Sequence, residues 1–234
     1  DPFDCGYLEY PQERSVYAAI EMALWDAAAK EAGQPLYRYW GGAVRERAPF
    51  VAYAYAVDPA EGHAPEKVAE IMAGIAQESV ARTGASMFEF KIGLHPPMVE
   101  ADVVRAVRAA VGPRIEIAVD ANTGFTVEQA RRFLFATLGH RLANIEEPVA
   151  RLADAARLRA DFPVPVSTHC ADLDALAAHP AIDAVVSDPW SLGGAGPTLR
   201  FASQAAAIGK RFWLRARWEL GVAWACLCHI GMAA

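Results

Sequence analysis

The sequence predicts an α/β fold of parallel strands with seven βα units, one short of the eight in a TIM barrel. From Pro49 onward, short apolar and β-branched runs alternate with segments of helical periodicity, which is typical of parallel strands joined by helices. Polar residues suited to chemistry also follow five or more of these runs. An open doubly wound sheet is the alternative, but no GxGxxG motif follows the first strand.

The predicted elements begin with a helix over residues 15–32, where Ser15 is a candidate N-cap and Gly33 and Pro35 end the helix. Runs rich in β-branched and aromatic residues predict strands at 50–55, 86–92, 115–121, 143–147, 164–169, 183–187 and 211–217. The segments between and after them predict helices at 65–82, 98–111, 126–138, 151–160, 171–178, 197–208 and 218–232. We expect residues 1–48 to hold the first helix and a linker, and residues 49–234 to form the domain with the site.

The bulk composition excludes several classes of protein. The 234 residues are 54% hydrophobic and 21% charged, which indicates a globular chain. A net charge of −6 without a Lys/Arg run argues against a nucleic-acid partner, and no apolar run reaches the roughly 18 residues that span a membrane. No signal-peptide core is visible, and Cys5, Cys170, Cys226 and Cys228 form no CxxC pair. We therefore expect reduced thiols and a cytoplasmic protein.

Four segments each place a residue fit to hold a cation or to move a proton near the end of a predicted strand. They are residues 90–93 (Phe-Lys-Ile-Gly), 119–122 (Val-Asp-Ala-Asn), 145–148 (Ile-Glu-Glu-Pro) and 167–170 (Ser-Thr-His-Cys). Successive segments start 29, 26 and 22 residues apart, which is the length of one strand plus one helix. Because the same ends of parallel strands lie together, we expect Lys91, Asp120, Glu146 and His169 to converge.

The pattern predicts Asp120, Glu146 and His169 as ligands of a divalent cation, with Asn122 nearby to bind substrate. Carboxylate oxygens are the ligands that hard cations prefer, and three ligands leave positions open for substrate and water. The alternative is that the carboxylates cap helices or pair with arginines. Glu146 and Glu147 should point to opposite faces, and we expect Glu146 to face inward.

Lys91 is the candidate general base. Burial and a nearby cation disfavour the charged form of a lysine, so its neutral amine becomes available to accept a proton. Strand alternation puts Glu89 on the same face as Lys91, where it could contact substrate. The alternative for Lys91 is a salt bridge, with Glu89 as one possible partner.

Asp188, Arg215 and Arg217 follow or end the last two predicted strands. Two arginines on one face could bind a substrate carboxylate bidentately, and Asp188 and Arg215 are candidate catalytic residues. A structural ion pair between Asp188 and Arg215 is the alternative, and it is compatible with the first interpretation.

In this order, the segments resemble the enolase superfamily, and specifically its mandelate racemase/muconate lactonizing enzyme group. The resemblance covers nearly the whole chain. It includes residues 20–26 (Ile-Glu-Met-Ala-Leu-Trp-Asp), 33–37 (Gly-Gln-Pro-Leu-Tyr) and 219–222 (Glu-Leu-Gly-Val), besides the strand ends around Lys91, Asp120 and Glu146.

The resemblance implies a modified TIM barrel of the (β/α)7β type, with most of the family's N-terminal α+β capping domain absent from this chain. It implies that Mg²⁺ binds the carboxylate of a small-molecule substrate and that a base removes the α proton, giving an enolate-like intermediate. Lys91 would be that base, with Asp120 and Glu146 as metal ligands. The reaction would be acid-sugar dehydration or a racemase, epimerase or cycloisomerase reaction, in a homo-oligomer.

Three positions depart from the family pattern. Glu89 stands where the family's Lys-x-Lys motif has its first lysine, and Arg215 stands where racemases and dehydratases carry a histidine paired with an aspartate. The segment with His169 is most similar to the glucarate dehydratase-like branch, which has asparagine there; histidine favours Mn²⁺ or another transition metal. These departures leave open the alternative of a catalytically impaired member that only binds metal or ligand.

Overall fold

The computed structural model describes residues 12–217 and 219–234, so Cys5 and the remainder of residues 1–11 lie outside the described part. The helices are α1 (Gln12–Glu31), α2 (Pro65–Thr83), α3 (Pro97–Val111), α4 (Val127–Thr137), α5 (Leu152–Asp161), α6 (Leu173–Ala178), α7 (Pro189–Leu192), α8 (Ala195–Ala207) and α9 (Gly221–Ala233). The strands are β1 (Ala52–Ala54), β2 (Met87–Lys91), β3 (Glu116–Asp120), β4 (Leu142–Glu146), β5 (Val166–Thr168), β6 (Ala184–Ser187) and β7 (Arg211–Leu214). Among the described residues, no helix combines the length and apolar character that crossing a membrane requires.

The described part divides into two compact units. The first unit contains residues 50–168 and 179–183, and the second contains residues 12–49, 169–178 and 184–234. The alternation of strands and helices agrees with the predicted order, and the paired strands are parallel in both units.

In the first unit, β1 to β5 pair in sequence order as parallel neighbours. Alternation sets the core, because Phe88 and Phe90 are fully buried on one face of β2 while Glu89 and Lys91 occupy the other. Helices α2 and α3 pack closely against each other, and α3 buries Val104 and Val107. Pro97 begins α3 at a position where no backbone N–H is needed.

In the second unit, β6 and β7 are parallel neighbours, and α1 packs against α7 and α9 through an apolar cluster that includes Met22 and Ile230. Glu21 on α1 accepts hydrogen bonds from the backbone N–H groups of Ala195 (2.8 Å) and Gly196 (2.9 Å), which open α8. Gly194 is required beside it, because its φ is 133° and an added Cβ would lie 2.6 Å from the Glu21 carboxylate.

The largest departures from the predicted elements are in the second unit. The last strand was predicted over 211–217 but ends at Leu214, so Arg215 and Arg217 lie in the segment after the strand. The short helix α7 was not predicted. It begins at Pro189 after Asp188, whose side chain caps it, and with four residues it is too short to show a helical period.

Candidate functional site

Lys91, Asp120 and Glu146 form one row across three neighbouring strands of the first unit. In the parallel register, Lys91 of β2 is opposite Asp120 of β3, and Asp120 is opposite Glu146 of β4. Each is the last residue of its strand. The row therefore lies at the carboxyl ends of the strands, where βα proteins place their catalytic groups.

Asp120 is the centre of the row and is held from several sides. Its side chain is almost fully buried, and its Oδ2 accepts a hydrogen bond from Lys91 Nζ. The backbone N–H of Asn122 donates to Oδ1 at 2.8 Å, and Asn122 Nδ2 donates to Oδ2 at 3.2 Å. Asn122 has a φ of 43°, a left-handed conformation that asparagine tolerates better than most residues and that turns the chain back toward Asp120. Asn122 thus fixes the orientation of this carboxylate.

Glu146 supplies a second buried carboxylate to the row. Only 4% of the residue is exposed. Burial raises the pKa of Glu146 well above its ordinary value, and the nearby charge of Asp120 raises it further. Two carboxylates crowded in this way favour a bound cation, which removes both the desolvation penalty and the mutual repulsion. The oxygen donors of Asp120 and Glu146 therefore fit a hard divalent cation such as Mg²⁺.

Glu147 differs from Glu146 in its backbone conformation. Its φ of 43° places it in the left-handed region, and its carboxylate accepts a 2.7 Å hydrogen bond from Thr168 Oγ1. The backbone N–H of Glu147 donates to Ser167 O at 3.0 Å. These bonds anchor the end of β4 to β5 and leave Glu146 as the member of the pair that stands in the row.

Tyr53 and Tyr55 belong to the same face, although the sequence analysis did not single them out. Tyr53 of β1 is opposite Glu89 of β2, and its ring is 5.4 Å from that of Tyr55 in an edge-to-face arrangement. Burial raises the pKa of the Tyr53 phenol, and the charges of Asp120, Glu89 and Glu146 are among the groups that raise it further. Alternation along Tyr53-Ala54-Tyr55 was the available signal, but it needs the β1–β2 register to become specific.

The second unit contains a separate charged cluster around Asp188. Asp188 is fully buried, and its Oδ1 accepts hydrogen bonds from the backbone N–H (2.8 Å) and Oγ (2.9 Å) of Ser191. Its Oδ2 accepts from Arg215 Nε at 2.8 Å and from Nη2, and lies 3.3 Å from Arg217 Nε. Burial by itself would raise the pKa of Asp188, but the charge and hydrogen bonds of Arg215 outweigh it and lower that pKa. The ion pair between Asp188 and Arg215, which the sequence offered as one interpretation, is therefore present.

His169 also belongs to the second unit and contacts Arg215. Only 7% of it is exposed, and its Nδ1 lies 3.0 Å from Val186 O. Because a carbonyl oxygen can only accept, Nδ1 carries the proton of that bond. Arg215 Nη1 lies 3.3 Å from Nδ1 and 3.5 Å from Nε2, so the guanidinium rests against the imidazole.

The predicted three-ligand metal set stays a prediction. Across residues 12–217 and 219–234, no group of three or more His, Cys, Asp and Glu side chains is placed to hold one metal ion. Asp120 and Glu146 are the two predicted ligands that share a row in the first unit.

Comparison with known proteins gives a consistent family. Residues 72–234 match the family model described as enolase C-terminal domain-like. A probable glucarate dehydratase from Streptomyces coelicolor is 29% identical over 230 residues, covering 92% of this chain and 53% of the relative. A hydrophobic dipeptide epimerase from Roseobacter litoralis is 31% identical over 223 residues, covering 92% of this chain and 61% of the relative. The chain thus spans little more than half the length of these curated relatives.

A solved structure extends the likeness to three dimensions. The crystal structure of an enolase from Thermobispora bispora, complexed with magnesium and formate, matches with a TM-score of 0.82 and 27% identity, over 94% of this chain and 55% of that one. Together with the family match, this likeness confirms the predicted fold class, an α/β chain of the modified TIM-barrel type.

Proposed function

The chain belongs to the enolase superfamily, in its mandelate racemase/muconate lactonizing enzyme group, and on that premise we propose that Lys91, Asp120 and Glu146 form the site of a metal-assisted proton abstraction. The proton removed is the one α to the carboxylate of a small-molecule substrate. The observation that carries the proposal is the aligned row of a lysine and two buried carboxylates at the ends of β2, β3 and β4.

Asp120 and Glu146 would hold the cation, with Mg²⁺ as the first candidate. The Thermobispora bispora relative binds magnesium, and the oxygen donors of this row suit that ion. When bound, the cation supplies positive charge that polarises the substrate carboxylate and stabilises the enolate-like charge. His169 is proposed as a third ligand, and a histidine in that place would favour Mn²⁺ or another transition metal.

Lys91 would act as the general base. Its Nζ would accept the α proton and donate to Asp120 Oδ2, the contact already present in the structure. Asp120 therefore orients the lysine, while Asn122 keeps Asp120 in place through two hydrogen bonds. A positioned base of this kind contributes roughly 10²–10⁴-fold to the rate.

The charged cluster of the second unit is proposed to bind the carboxylate end of a substrate. Arg215 and Arg217 both face Asp188 Oδ2, and the planar guanidinium is the group best suited to bind a carboxylate bidentately. Asp188 would take part by orienting Arg215. Since arginine does not give up its proton at neutral pH, Arg215 cannot serve as the second acid–base group of a two-base racemase or epimerase, which favours one-base chemistry by Lys91, such as dehydration or cycloisomerisation.

A catalytically impaired, ligand-binding member is the second candidate. The observation that favours it is the bond between Arg215 and Asp188, because the family resemblance implies an acid–base histidine at the position of Arg215. A cytoplasmic location and a homo-oligomeric assembly are part of the proposal, and gel filtration with light scattering tests the assembly.

Solvent-deuterium incorporation separates these two candidates. The protein is incubated with Mg²⁺ or Mn²⁺ in deuterated water with acid sugars and dipeptides, and exchange at the α carbon is followed by proton NMR. We expect exchange to fall by about 10²–10⁴-fold in K91M. K67M removes a half-exposed lysine on the outer helix α2 and should leave exchange unchanged. Equal exchange in K91M and the native protein would refute the assignment of Lys91, and no exchange with any compound would favour the binding protein.

A further inference from the structure

We propose that the substrate of this site carries a cationic group, such as an ammonium, which binds against Glu89, Tyr53 and Tyr55. The inference rests on the proposed function for the position of the reacting carbon, and it narrows the substrate to a zwitterionic amino-acid derivative. The three residues lie on β1 and β2 and just beyond β1, on the face of the first unit that also carries Lys91.

The geometry puts Glu89 next to Tyr53, whose ring in turn meets that of Tyr55. Tyr53 and Glu89 are direct partners in the parallel β1–β2 register, so their side chains leave adjacent strands at the same level. On the opposite face, Ala52 and Phe88 are buried, which fixes the side of the sheet that the Tyr53 and Glu89 side chains occupy.

The two rings remain accessible to a ligand. Tyr53 is 39% exposed and Tyr55 is 58% exposed, and their rings meet edge to face at 5.4 Å. The exposed faces of such rings are negative and attract a cation within about 6 Å of the ring centre. A neighbouring carboxylate strengthens that attraction, because both groups favour positive charge at the same point.

The charge of Glu89 decides which ligand group this corner of the site favours. Glu89 adds a carboxylate next to Tyr53, at a point of the face removed from the row position of Asp120 and Glu146. A carboxylate of a dianionic acid sugar would be repelled by Glu89 there, whereas the ammonium of a zwitterion would be attracted to it.

The test uses pairs of probes in which one member carries a positive charge that the other lacks. Alanylalanine is compared with its N-acetyl derivative, and Nα-acetyl-lysine with Nα-acetyl-norleucine; galactarate represents the dianionic acid sugars. Binding of each to the full chain with Mg²⁺ is measured by titration calorimetry, and α-proton exchange by NMR. We expect the cationic member of at least one pair to bind at least about tenfold more tightly than its uncharged partner and than galactarate.

Two variants assign that preference to Glu89. In E89Q the ratio should fall to less than about threefold, because the carboxylate charge is removed with little change of shape. E128Q removes an exposed carboxylate on α4 and should keep the native ratio. A native ratio below tenfold for both pairs, galactarate binding as tightly as the cationic probes, or a ratio that E89Q leaves above threefold would overturn the inference. Discriminating binding without any exchange would instead sink the proposed catalysis and leave the cation site standing.

Discussion

The row in the first unit and the Asp188 cluster in the second are both built from buried carboxylates and long cations, but their charges are balanced in opposite ways. In the row, Lys91 contacts Asp120, and burial together with Asp120 raises the pKa of Glu146. In the cluster, one carboxylate receives two arginines, and Arg215 lowers the pKa of Asp188 against the effect of burial.

The opposite pKa shifts of Glu146 and Asp188 help to distinguish buried carboxylates that stabilise the fold from those suited to chemistry. Asp188 already has its hydrogen bonds and its counter-charges, so removing a partner leaves a buried charge uncompensated. In the row, burial and Asp120 disfavour the ionised form of Glu146 by raising its pKa, so a cation bound to that form would stabilise the row. A pKa raised in this way is common at functional sites, whereas a balanced ion pair is typical of structural ones.

Breaking the balanced cluster should give the largest effect on stability. In R215M the buried Asp188 loses the bonds from Nε and Nη2, and we expect a loss of about 3–5 kcal/mol in the free energy of unfolding. R157M, which removes an arginine paired with Asp154 on the surface of α5, should cost less than about 1 kcal/mol. Urea denaturation measures both. A loss in R215M no larger than in R157M would mean that the cluster is not a structural anchor.

Removing one carboxylate from the row, unlike breaking the cluster, should not lower the stability of the protein without divalent ions. E146Q relieves the repulsion with Asp120, so without divalent ions its melting temperature should equal or exceed that of the native protein. With Mg²⁺ at about 100 times its dissociation constant, the native protein should gain about 2.7 kcal/mol, and E146Q should gain much less. Differential scanning calorimetry tests both parts. D161N, on the exposed end of α5, is the control, and an equal Mg²⁺ gain in E146Q would exclude Glu146 as a ligand.

A smaller effect is the pH dependence of stability, which should differ in direction between Glu100 in the first unit and Asp188 in the second. Burial raises the pKa of Glu100 on α3, which accepts from the N–H groups of Gly93 (2.9 Å) and His95 (3.0 Å). Its folded form binds a proton that the unfolded form has released, so its contribution to stability falls as pH rises from about 4.5 through the folded pKa. Asp188 contributes stability above its ordinary value of 3.8, which is lost as pH falls through the lowered folded pKa.

Urea unfolding across pH 3–7 measures these two changes in the free energy of unfolding. Each amounts to about 1.4 kcal/mol for every unit by which the folded pKa differs from the unfolded one. The E100Q variant should flatten the decline above pH 4.5, and D188N should flatten the loss at acid pH. If both variants changed stability in the same pH range, the opposite pKa shifts of Glu100 and Asp188 would be wrong.

The fold was predictable because its signals are local and repeated. Each predicted strand is present, with ends that move by at most three residues, and the α/β class follows from the alternation. The row was also anticipated as strand ends around Lys91, Asp120 and Glu146, since regular spacing along the chain translates into neighbouring strands in space.

The remaining features depend on contacts that the sequence does not encode locally. Tyr53 is an ordinary strand residue until the register places it beside Glu89, and the segment after Leu214 is extended enough to be mistaken for strand. The backbone of Arg215 even continues the ladder with a 2.9 Å bond to Ser187 O. The turn of Glu147 into the left-handed region likewise depends on its bonds to β5.

The central claim is that Asp120 and Glu146 hold a divalent cation beside Lys91. The most direct test is a crystal of the full chain soaked in Mn²⁺, with anomalous diffraction used to locate the ion. The account predicts one strong peak about 2.0–2.3 Å from carboxylate oxygens of both Asp120 and Glu146. A peak that contacts neither residue, or no peak at a Mn²⁺ concentration that saturates binding in solution, would contradict it.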